Sequence, residues 1–131
     1  MLAQQPMPVS DPRVFFASER TLLAWLRTGI AIVGLGFVVS RFGLFLHLVA
    51  AQAPGRPTRV EALPSALLGA VFVVVGAVAV AAATVQHGRF IATLPEVDRP
   101  ASYSRSFALW LSALVSTASF LLAAYLLLTL P

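Results

Sequence analysis

The sequence predicts an all-α membrane protein of three transmembrane helices, the first long and carrying an amphipathic N-terminal extension. Three observations lead there. The 131 residues are 59% hydrophobic and 11% charged, where a soluble chain carries roughly 25% charged residues. Two long segments, about 65–86 and 106–130, hold no charged side chain at all. Each meets the ~20 apolar residues that a bilayer core requires. A third, about 22–46, is equally apolar but contains Arg27 and Arg41.

The first helix starts at Asp11-Pro12, an N-cap acid followed by proline at the first helical position. Only isolated glycines interrupt it before about His47. Charged Arg13, Glu19 and Arg20 among aromatic residues make its early turns amphipathic, and Phe15, Phe16 and Trp25 suit an interfacial belt. Residues 1–10, with Pro6 and Pro8, are expected to be a disordered tail, leaving 11–131 as a single domain. The late apolar run, preceded by both an acid and a base, points to an uncleaved signal-anchor.

Polar residues from Gln52 to Leu63 form the first loop, and Pro64-Ser65 opens the second helix. Along it Gly69, Gly76 and Ala83 recur every seven positions, a small-residue seam that allows close helix packing. His87-Gly88 is expected to end this span. A loop with Pro95, Glu96, Asp98, Arg99 and Pro100 then leads to the third helix. There Ala108, Ser112 and Ser116 form another small-residue row, continued by Ser119 and Ala123. With three spans, the N-terminal side shares a face with the second loop. That face holds five arginines (Arg13, Arg20, Arg89, Arg99, Arg105) against Arg56 and Arg59 opposite. The excess predicts a cytoplasmic N-terminus and an external C-terminus at the plasma (inner) membrane.

Composition narrows the chemistry. The chain has no cysteine, which excludes disulfides, iron–sulfur clusters and thiol catalysis. All nine basic side chains are arginine, whose forked guanidinium suits phosphate and carboxylate. They flank apolar runs and do not cluster on a polar face, so a nucleic-acid partner is not expected. His47 and His87 lie near opposite ends of different spans, which argues against a metal site. Ser112, Ser116 and Ser119 lack a histidine–acid pair, and no phosphate loop or zinc spacing is present. No enzymatic activity and no cofactor are expected.

The arginines of the first helix are the candidate functional residues. The uncharged run between Arg27 and Arg41 is 13 residues, Thr28 to Ser40, or about 20 Å of helix. Any window long enough to span therefore includes one of them. An arginine at the bilayer centre costs roughly 2.5 kcal/mol or more and marks a functional site by default. Arg20, Arg27 and Arg41 are spaced by seven and fourteen, with Gly34 in the missing place. A drift of about 20° per heptad keeps all three within one stripe. Glu19 and Asp11 are expected outside the membrane core and Glu61, Glu96 and Asp98 in loops, so no span offers a carboxylate. The guanidinium groups either snorkel to headgroups, face a polar interior that accepts an anion, or join a network with loop acids. Gly34, Gly36 and Gly43 are expected to mark close packing.

The stretch Phe16-Ala-Ser-Glu-Arg-Thr-Leu-Leu-Ala-Trp-Leu-Arg-Thr28, with Ser40-Arg-Phe-Gly43 at the far end, closely resembles the first helix of the YidH-type family. These are small three-span bacterial inner-membrane proteins of unknown function. Their usual motif has asparagine where this chain has Ser18, then Glu19, Arg20, Thr21, Trp25 and Arg27 in the same places. The same module resembles the transmembrane part of the vacuolar transporter chaperone complex, which makes polyphosphate and passes it through the membrane. That resemblance implies that Arg20, Arg27 and Arg41 face a polyanion path. Three helices cannot enclose a wide pore, so the path implies a homo-oligomer or hetero-complex in the lipid. The competing expectation is a structural or assembly subunit docking on a larger membrane protein through the Gly69–Gly76 and Ser112–Ser116 surfaces.

Overall fold

The computed structural model describes residues 11–52, 62–96 and 105–129. They form three helices, α1 (Pro12–Ala51), α2 (Ala62–Thr93) and α3 (Arg105–Leu128). Each is long and apolar enough to cross a membrane, and no strand occurs among the described residues. The molecule is an all-α, three-helix multi-pass membrane protein. The N-terminal tail and most of both loops lie outside the described residues.

α1 begins where its cap dictates. The Asp11 side chain accepts from the Arg13 backbone N–H at 3.0 Å, with Pro12 in the first helical turn. It runs to Ala51, four residues beyond His47. α2 departs further from expectation: it passes through His87-Gly88 and stops only at Thr93. A glycine inside a helix costs about 1 kcal/mol and does not by itself end it. Pro95 does, because the residue before a proline, here Leu94, is pushed out of the helical region.

α2 is the central helix, packed on α1 along one side and α3 along the other, while α1 and α3 meet only lightly. The buried positions of α1 are Phe15, Glu19, Leu22, Leu26, Gly29, Val33, Gly36, Ser40 and Gly43. Their spacing alternates four and three without exception, the signature of a heptad seam. α2 answers with Ala66, Gly69, Val73, Gly76, Val80, Ala83 and His87, all buried at the same alternation. The helices run antiparallel, Gly36 against Gly69 and Gly29 against Gly76.

Glycine is required at these crossings because backbones touch there. A Cβ on Gly36 would lie 2.7 Å from the Gly69 carbonyl oxygen, and one on Gly76 3.0 Å from that of Gly29. In a bilayer, such close approach supplies the van der Waals contact that holds helices together. Two apolar clusters tie in α3. Leu22 and Leu26 meet Val80, Ala83 and Ala108 toward one end, and Val33 meets Val73, Ala123 and Leu126 toward the other.

Candidate functional site

The seam fixes where every other residue of α1 points. Arg20 and Arg27 each follow a seam residue, Glu19 and Leu26, by one position. Both side chains are exposed on the outer flank of the three-helix unit. Neither has a carboxylate, ring or hydrogen-bond partner among the described residues. Arg27 lies eight residues, about 12 Å along the axis, inward of Glu19. It lies within a helix long and apolar enough to cross a membrane, on a surface left exposed among the described residues.

The rest of the motif shares this outer face. Thr21, Trp25 and Thr28 are exposed, and with Arg20 and Ala24 they line a shallow groove of 460 Å³. Thr21 and Thr28 donate their hydroxyl hydrogens to the Ala17 and Ala24 carbonyls, both at 3.0 Å. The hydrogen-bond donors left for a ligand on this face are therefore the guanidinium groups and the Trp25 indole.

Arg41 is held differently. It is half-buried, with its guanidinium carbon 5.1 Å from the centroid of the Tyr125 ring of α3. The ring's negative face attracts the cation, and Arg41 is thus partnered without any carboxylate. An aromatic ring is a class of partner that inspection of acids, lipid and water leaves out.

The remaining predicted positions divide sharply. Gly69 and Gly76 lie in the α1–α2 seam. Ser112 is fully buried and donates to the Leu109 carbonyl at 3.0 Å, and Ser116 is half-buried on the same helix. Gly34, expected at a packing contact, is exposed instead, and a Cβ there would meet nothing within 4 Å. It continues the row of Arg20, Arg27 and Arg41 as an open notch.

Glu19 turns into the seam and is only 6% exposed, beside His87, also 6% exposed. The Glu19 Oε1 and the His87 Nε2 are both buried without a hydrogen-bond partner. The signal was in the spacing: Glu19 stands seven before Leu26, and His87 seven after Val80, each in a seam row.

With this geometry in hand, residues 13–93 match the model of a domain of unknown function, DUF202. The chain belongs to the DUF202 family. The match covers α1 from its second residue and ends on the last residue of α2, so the family segment is the glycine seam and both of its helices. α3 lies beyond the matched segment. No curated protein and no solved structure matches the chain.

Proposed function

We propose that this DUF202 protein is an oligomeric membrane module in which the outer faces of several α1 helices enclose an anion path lined by Arg20 and Arg27. One observation carries the reading: Arg27, inside a helix apolar enough to span a membrane, is exposed with no partner among the described residues. Left against lipid, that cation is costly. Turned toward other copies and a shared polar space, it meets water and anions. Gly34, open and in the same row, leaves room at the middle of such a path. Arg41, stacked on Tyr125, marks its far rim.

The motif's resemblance to a polyphosphate-passing module makes phosphate polymers the first anions to try. In this reading the protein conducts or holds the anion. The arginine excess near the N-terminal side favours a cytoplasmic N-terminus, and an inner-membrane location is part of the proposal. The alternative is a subunit docked on a larger membrane protein; α1 of the same chain occupies its Gly69–Gly76 surface, which leaves the Ser112–Ser116 side of α3 for such docking.

The test is flux of phosphate and short polyphosphate from proteoliposomes containing the purified protein. A unit charge 4 Å from an anion is worth about 4 kcal/mol at an effective dielectric of 20. Arg27→Gln is therefore expected to reduce flux at least tenfold without unfolding the protein. Flux that survives Arg27→Gln together with Arg20→Gln would remove the path from this face. A protein that stays monomeric in lipid and passes no anion would end the proposal.

A further inference from the structure

We propose that Glu19 and His87 form a proton-binding site built into the α1–α2 seam, one exchangeable proton held between carboxylate and imidazole. The inference is independent of the anion path. From Leu22 to Gly36 on α1 and from Val73 to Ala83 on α2 the seam is filled by leucine, valine, alanine and glycine, with Ser40 its other buried polar residue on α1. Toward one end an acid and a histidine enter the seam within electrostatic reach of each other, both more than nine-tenths buried. His87 is close enough to Glu19 to feel its charge, with the Ser18 backbone beside its ring. Its Nε2 and the Glu19 Oε1 are each buried without a hydrogen-bond partner.

Two buried acceptors without a donor are unfavourable, and an unpaired buried carboxylate far more so. One proton resolves both. It rests either on the carboxyl, beside a neutral imidazole, or on the ring, as imidazolium beside carboxylate. In each arrangement the pair is neutral overall. Losing the proton to water leaves one uncompensated negative charge in the seam, and regaining it restores neutrality.

Among the described residues no other titratable side chain is buried beside the pair. Arg13 and Arg20 on α1 and Arg89 on α2 are exposed. From α3, Leu109 is the residue that approaches this level, near Gly88, and it carries no charge. A route for the proton is present. A groove of 380 Å³ between α1 and α2 is lined by Ser18, Thr21, Gln86 and His87 among apolar residues, and it brings polar side chains up to the imidazole from outside.

The competing account is a polar layer that merely fixes the helix register, as a lone asparagine does in a coiled coil. The experiment uses the full chain in lipid nanodiscs with His47→Gln, so that His87 is the one imidazole. The ring nitrogens are followed by 15N NMR and the carboxyls by infrared absorption, both across pH. The expected result is a single coupled step, with the His87 resonances and a protonated-carboxyl band changing together. Glu19→Gln should abolish that band and move the His87 midpoint to lower pH by more than about one unit, the scale of a strongly interacting pair. Should Glu19→Gln fail to fold, the coincidence of the two signals in the otherwise native chain decides alone. A His87 that titrates near ~6.5 as an isolated imidazole does, with Glu19 ionised throughout, would leave only the register role. A pair that exchanges no proton over the whole pH range in which the protein stays folded would equally overturn the site.

Discussion

Two neighbouring faces of α1 repeat every seven residues, and what fills them differs completely. The seam face carries Glu19, Leu26, Val33 and Ser40 in one row and Leu22, Gly29, Gly36 and Gly43 in the next, all buried. One position further round stand Arg20, Arg27, Gly34 and Arg41, exposed or half-buried. The glycine row draws α1 onto α2 until backbones touch, and that leaves no interior space into which the arginine row could turn. Close packing on one side thus strands the cations on the other. The three-helix unit is complete as a packed object and incomplete as an environment for its own charges.

The comparison breaks most easily at the glycines. Gly36→Leu or Gly69→Leu places a side chain against backbone that cannot yield. The expected cost exceeds the ~1–3 kcal/mol of ordinary overpacking, and folded, monodisperse protein should be lost in detergent. Gly34→Leu, two residues from Gly36 but on the open face, should leave thermal stability unchanged and alter only subunit association. Equal damage at both positions would mean that the two faces are not distinct.

The seam's polar layer comes next. Glu19→Leu alone leaves His87 buried without its partner, and a loss of about 1–3 kcal/mol is expected from thermal unfolding in detergent. Adding His87→Leu should recover most of that loss, since a buried polar pair replaced on both sides is often neutral or better. A double variant as unstable as the sum of the singles would show that the two residues do not face each other. The smallest effect belongs to Tyr125→Leu, expected at about 0.5–1 kcal/mol for the lost cation–π contact with Arg41. Tyr125→Phe should match the parent in the same measurement.

Much of this could be read from the sequence. Uncharged runs fixed the second and third spans, Asp11-Pro12 fixed the start of α1, and arginine spacing exposed the outer row. What stayed hidden was the row next to it. Gly29, Gly36 and Gly43 recur at seven just as the arginines do, but only the register with Gly76 and Gly69 shows that this row packs and that Gly34 does not. Hydropathy treats Glu19 only as a charge near a helix end, whereas its position in the repeat turns it into the seam. Gly88 suggests a helix end at His87, but α2 runs on to Thr93 and the terminating signal is Pro95. The Arg41–Tyr125 contact joins residues 84 positions apart on helices that barely touch, and no local pattern announces it.

The central claim is that the arginine row of α1 faces an enclosed aqueous space once the protein is assembled in lipid. Gly34→Cys tests it most directly. The chain contains no cysteine, an added side chain there meets nothing, and the position lies mid-row, where lipid would otherwise be deepest. A thiol reacts as its thiolate, which requires water. In proteoliposomes, a charged, membrane-impermeant thiol reagent should modify Gly34→Cys at a rate close to that of Arg20→Cys at the rim. Leu114→Cys, on the exposed outer face of α3, should stay unmodified. A Gly34→Cys as inert as Leu114→Cys would place the row against lipid and contradict the account.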